Sequence, residues 1–143
     1  MPYRFLEDIA TADMAFEAWG ATRDELFAAC AAALLASMTH DPERIERRRH
    51  ITIRQEHEEL DLLLYSFLAE LVFLKDARRL LLHADSVLIG EMAGGFRIEA
   101  LMQGEEINPQ RHRLLVDVKA VTLHRFRVIC ENGIWRATVV LDI

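Results

Sequence analysis

"LDLLLYSFLAELVFLKDARRLLLHADSVLIGEMAGG", residues 60–95, changes its period part-way along. Leu60, Leu63, Leu64, Phe67, Leu68 and Leu71 recur at three- and four-residue steps, the spacing of one helix face. Leu62, Tyr65, Val72 and Phe73 fall on the other side, so a helix predicted over about 57–75 is apolar almost all round. Such a helix is buried on more than one side, or it offers a face to a partner. From Arg79 the pattern turns to strands, predicted over 79–91 and 94–104, with "AGG" at 93–95 as the turn between them.

Upstream, residues 3–9 and 13–19 read as short strands. In the second, Met14, Phe16 and Ala18 alternate with Asp13, Ala15 and Glu17, a period of two. "TRDE" then opens a helix, with Thr22 as N-cap and Glu25 where a capping box places its acid. Leu26, Phe27, Cys30, Leu34, Leu35 and Met38 form its apolar stripe. "THDPERIERRRH" is a polar loop around Pro42, its basic run Arg47–Arg49 offset by Glu43 and Glu46, and a short strand follows at 51–55. Downstream, strands are predicted at 114–121, 124–131 and 134–142, with turns at "INPQ" (107–110) and "ENG" (131–133). Helices early and hairpin strands late predict one α+β domain spanning 1–143, two helices covering one face of a largely antiparallel sheet.

The 143 residues, 52% of them hydrophobic, suit one domain with a proper core. A net charge of −6 argues against direct nucleic-acid binding, which needs a surplus of Lys and Arg to neutralise phosphates. "MPYRFLEDIA" lacks the basic and apolar regions of a signal peptide, and Asp61, Ser66 and Glu70 interrupt the longest apolar run below membrane-spanning length. Cys30 and Cys130 form no CxxC unit, and are expected to be reduced core cysteines of a cytoplasmic protein. GxGxxG, Walker A, HExxH and GxSxG motifs are absent. The six histidines, at 40, 50, 57, 83, 112 and 124, lack metal-ligand spacing. A nucleophile-centred enzyme has no positive support in this sequence.

Three polar features remain. "TAD", ending at Asp13, sits where one strand gives way to the next and reads as a turn. "VDVKAVTLH" (116–124) puts Val116, Val118 and Ala120 on one strand face, with Asp117 and Lys119 on the other as an ordinary exposed ion pair. In "RATVVLDI" (136–143), Thr138, Val140 and Asp142 share the face opposite Ala137, Val139 and Leu141, and the bland reading is a frayed, exposed end.

Together these stretches resemble the archease family. "TADMAFEAWGATRDELFAACAAALLASM" is similar to its N-terminal block, an HTAD-like motif with an alternating strand, a Gly and a capped helix. "LLLYSFLAELVFLKD" is similar to its second helix, and "GEEINPQRHRLLVDVKAVTLH" resembles its GE…H…VKAxTxH segment. "WRATVVLDI" looks like its W-x-A-x-x-x-D-I ending. Ala10 stands where the family has His, and Leu123 where it has Tyr, so two polar groups are missing. The resemblance implies a non-enzymatic accessory protein of the RtcB-type RNA ligase, promoting its guanylylation and multiple turnover in tRNA splicing or RNA repair. It also implies a divalent cation, calcium in the family with magnesium or manganese as alternatives, held by Asp13, Asp142 and the carboxylate of Ile143. Lys119 matches the family's functional Lys. Three such carboxylates brought together would repel one another unless a cation held them, and all-oxygen anionic ligands suit a hard ion. Two other readings are open: a metal-dependent phosphoester hydrolase using the same acids, and a chaperone-like module using the exposed side of the second helix.

Overall fold

The computed structural model describes residues 2–7 and 13–143. The end of the predicted first strand (8 and 9) and the first two residues of "TAD" lie outside the described residues. The capping box forms: Glu25 N–H donates to Thr22 Oγ1 at 3.1 Å, and the Glu25 carboxylate accepts the Thr22 N–H at 3.1 Å. Helix α1 runs Arg23–Met38 from that cap and buries the whole predicted stripe from Leu26 to Met38. The second helix, α2, spans Leu60–Arg78, later than its periodicity suggests at both ends. His57 still pairs with Phe96 in the preceding strand, which delays the start, and Arg79 (φ 54°) stops the helix in the left-handed region.

Among the described residues the strands are β1 (Tyr3–Leu6), β2 (Asp13–Gly20), β3 (Arg49–His57), β4 (Leu80–Met92), β5 (Gly95–Glu106), β6 (Ala120–Glu131) and β7 (Ile134–Asp142). They make two antiparallel sheets, a four-stranded one ordered β1-β2-β7-β6 and a three-stranded one ordered β3-β5-β4. The α+β expectation is met, with the strands divided into two sheets. Helix α1 packs on β2 and β4, and α2 on β6 and β3, so each helix touches both sheets. Phe27 and Phe67 stack with ring centroids 6.0 Å apart where the helices meet. This explains the nearly all-round apolar character of α2: it buries Leu63, Leu64, Phe67, Leu68, Leu71 and Val72 between the sheets. Gly104 permits the close approach of β4, since a Cβ there would stand 1.8 Å from the Leu81 carbonyl oxygen.

The segment 114–119, expected to be strand, is not one. It crosses the C-terminal end of α1, where Leu115 N–H donates to Met38 O (2.9 Å) and Val116 N–H to Ser37 O (3.3 Å). The last carbonyls of a helix lack partners within it, and α1 has no basic side chain in its last turn, so this strap supplies the donors. The predicted alternation breaks accordingly: Val118 is buried, Ala120 is exposed and Val121 is buried again. Strand β6 then runs from Ala120, at the end of the first predicted strand, through the second without a turn, interrupted where Leu123–Phe126 bulge opposite Val139 alone. Arg125 there has φ 55°. The basic run is paired as expected for a solvated segment, Arg47 with Asp85 (2.8 Å), Arg48 with Glu46 (2.6 Å) and Arg49 with Glu106 (2.9 Å). Both cysteines are free, but only Cys30 is a core residue, its thiol pKa pushed up by burial. Cys130 is exposed on the edge strand β6, which corrects the expectation of two core cysteines.

A buried ionic cluster anchors the start of the strap. Glu105 accepts the Glu46 N–H at 2.6 Å and pairs with the Arg111 guanidinium. His112 is buried, its Nδ1 accepts the Asn108 N–H at 2.9 Å, and its Nε2 lies 3.2 Å from Glu105 Oε2. Burial pushes the Glu105 pKa up, but Arg111, the Glu46 N–H and His112 outweigh it and bring it down to about 2. A carboxylate lowered in the folded state stabilises the fold above its unfolded value and loses that contribution as pH falls through about 2. Glu105→Gln should therefore cost about 1–3 kcal/mol at pH 7. In urea unfolding the gap between variant and wild type should narrow steadily from about pH 4.5 downward. A gap that stays constant to pH 2.5 would show that the charge of Glu105 contributes nothing.

Candidate functional site

The candidate residues gather at one end of the four-stranded sheet. Strand β7 is central, and its register sets Asp142 directly opposite Asp13 of β2 on one side and Ala120 of β6 on the other. Directly opposed residues in an antiparallel pair share a face, with Cβ atoms about 4.5–5.5 Å apart. Two carboxylates separated by most of the chain thus become immediate neighbours. The chain end is not frayed: Lys119 N–H donates to Asp142 O at 2.8 Å, and Ile143 is partly buried against the core. Asp13 and Asp142 are half-buried, and Lys119 is exposed.

The register is held by apolar contacts on both faces of β2 and β7. Phe16 faces Val139 and Ala18 faces Ala137 toward the helices, while Ala15 and Val140 are buried on the other face. A slip of one residue would turn each of these side chains to the wrong side. Among the described residues no group of three or more His, Cys, Asp or Glu side chains is placed to hold a metal ion. The donor set that the resemblance implies is the aspartate pair with the main-chain carboxylate of the next residue. That donor set is all oxygen and all anionic, which fits a hard divalent cation and leaves several coordination positions for water.

The expected Asp117–Lys119 ion pair is replaced by another. Asp117 Oδ1 accepts from Lys75 Nζ at 2.6 Å, and the same ammonium donates to Val118 O at 2.7 Å and approaches Asp76 Oδ1 at 2.6 Å. Burial pulls the Lys75 pKa down, but the bonds to Asp117 and Asp76 outweigh it, and the net direction is up. Among the described residues Lys119 makes no comparable side-chain contact, and its backbone N–H bonds the Asp142 carbonyl. Sequence reasoning passed over Lys75; the available signal was a lysine inside an otherwise apolar helical run. Glu105 and His112 fall in the GE…H motif of the resemblance, but their grouping with Arg111 was not read from the sequence.

The model of the Archease protein family (MTH1598/TM1083) matches residues 3–143. The chain belongs to the archease family. It is 35% identical to the archease of Pyrococcus furiosus over 134 residues, 93% of this chain and 94% of that one. It is 32% identical to the archease of Methanopyrus kandleri over 143 residues, the full length of both. The solution structure of Methanobacterium thermoautotrophicum protein 1598 superposes with a TM-score of 0.86 at 32% identity, covering 99% of each chain. The crystal structure of a Thermotoga maritima archease, titled a possible chaperone, superposes at 0.65 with 16% identity over 98% of each, and shows the fold alone. Among the described residues, no helix is long and apolar enough to cross a membrane.

The opposed aspartates predict an effect on stability that requires no partner. Like charges directly opposite in a sheet destabilise it, so Asp13→Asn should raise stability by about 0.2–1 kcal/mol in a chelator-containing buffer. Added calcium should stabilise the wild type by more than the variant. Urea midpoints measured with and without calcium check both statements, and a variant less stable than wild type in chelator would refute the repulsion.

Proposed function

We propose that this chain is a non-enzymatic, metal-binding accessory protein that activates an RtcB-type RNA ligase. In this reading Asp13, Asp142 and the Ile143 carboxylate hold a divalent cation, calcium in the first instance. Lys119 meets the ligase or balances charge at its surface. Membership of the archease family supports the accessory role, and the observation that carries the site is the opposition of Asp13 and Asp142 across β2 and β7. A bound cation would screen the acid pair and present positive charge at the surface beside it. It would supply that charge and no more, since the chain's own residues provide the fixed strand end and the partner-facing lysine.

The test mixes the protein with an RtcB-type ligase and follows ligase guanylylation and turnover with and without divalent metal. Asp142→Asn, or one residue added after Ile143, should slow guanylylation about tenfold or more and weaken calcium binding in parallel. If the extended chain activates the ligase and binds calcium as well as the wild type, the site is wrong.

A second reading is favoured by one observation. Phe73 on α2 is 58% exposed, a large apolar side chain on a helix otherwise packed between sheets. A chaperone-like module would use that face. Suppression of aggregation of unrelated clients, lost in Phe73→Ser and unaffected by Asp13→Ala, would support it over ligase activation.

A further inference from the structure

Among the residues that α2 buries, Lys75 is the only charged one. Its side chain is 7% exposed and its ammonium has three N–H groups. Three acceptors surround them at 2.6–2.7 Å: Asp76 Oδ1, Asp117 Oδ1 and the carbonyl oxygen of Val118. Two of these belong to the strap, and the next residue along the strap is Lys119, whose N–H holds Asp142 O. Val118, between the two contacts, is fully buried. The strap is thus fastened at Asp117 and Val118 immediately before it reaches the last strand. Its other fastenings, Arg113 to Val116 on the end of α1, lie farther back. Beside it a cavity of about 350 Å³, lined in part by Lys75, Asp76, Leu115 and Asp117, leaves room for the strap to move if it is released.

We propose that Lys75 is a positioning residue for the Asp142–Ile143 end of the chain. Its ammonium fixes the strap so that the Lys119 N–H is presented to the Asp142 carbonyl. The aspartate and the adjoining carboxylate are then held rather than left to fray. The ligand that end would take, a divalent cation, rests on the function proposed above; the positioning itself does not. An apolar residue of similar length at position 75 would fill the same space. It would leave the buried Val118 carbonyl without a donor and the exposed Asp76 and Asp117 carboxylates to water, so release of the strap is the expected response.

The experiment uses the full chain as wild type, Lys75→Met, Asp117→Asn and Ile98→Val. Amide hydrogen exchange is read at Lys119, and calcium is titrated calorimetrically. Lys75→Met should speed Lys119 exchange about tenfold or more and weaken calcium binding about tenfold. Asp117→Asn alters an exposed side chain, so folding is secure, and it should move both readouts the same way by less. Ile98→Val opens a small cavity in the other sheet, and should lower stability while moving neither readout. Unchanged Lys119 exchange in both Lys75→Met and Asp117→Asn would overturn the proposal. So would faster exchange with unchanged calcium affinity, which would leave Lys75 a purely structural residue. If the wild type itself takes up no calcium, the metal reading falls, and Lys119 exchange alone decides whether Lys75 positions the chain end.

Discussion

The hydrogen bond from Lys119 N–H to the Asp142 carbonyl, 2.8 Å long, joins the irregular strap to the central strand of the larger sheet. Around it three otherwise separate parts of the fold meet. Strand β2 brings Asp13, β7 brings Asp142, and the strap carries the chain from the ends of both helices into β6. The bond carries the β6–β7 pairing, in which Ala120, Val121 and Thr122 lie opposite Asp142, Leu141 and Val140, one residue back into the strap. Asp142 is thereby paired on both sides, and Ile143 packs partly against the core.

The strap exists because of the helices. Helix α1 ends in Ser37, Met38 and Thr39, all buried, and a helix end buried without partners for its last carbonyls is unfavourable. The chain meets this by passing Leu115 and Val116 across those carbonyls, at the cost of breaking strand geometry over 114–119. Two further fastenings set its course, the Glu105–Arg111–His112 cluster at its start and Lys75 near its end. Each is a buried or half-buried charge whose partners come from another element, so each specifies position as well as adding stability.

How much of this was legible in the sequence depends on the range over which the deciding contact acts. The helices were legible because their periodicity and the Thr22–Glu25 capping box are local. The "ENG" turn was legible because Asn132 and Gly133 adopt the positive φ that such a hairpin needs. The strap was misread because a segment lying against helices on one side alternates apolar and polar residues much as a strand does. Its departure from strand is set by the carbonyls of Ser37 and Met38, some eighty residues upstream, which no window around Val116 contains. Likewise Asp13 and Asp142 lie in separate stretches, and neither looks special alone. Only the resemblance pointed to them as a pair, and only the register sets them opposite each other. Lys75 escaped notice for a related reason, since its three acceptors lie on α2's own last turn and on the strap.

The acid pair stands against the local preference of the sheet, and its persistence is a matter of relative magnitudes. Two like charges opposed across strands cost about 0.2–1 kcal/mol. Burying side chains such as Phe16, Val139 and Leu141 contributes about 1.5–3 kcal/mol each, and every one of them depends on the same register. The apolar faces therefore dictate the alignment, and the carboxylates must accept the places it leaves them. A sheet whose register was set by the acids would relax by slipping; this one cannot slip without exposing its core. An arrangement that is locally unfavourable yet firmly held is what a preorganised anionic site requires, because the repulsion is already present when a cation arrives. A cation bound there would reverse the sign of the pair's contribution.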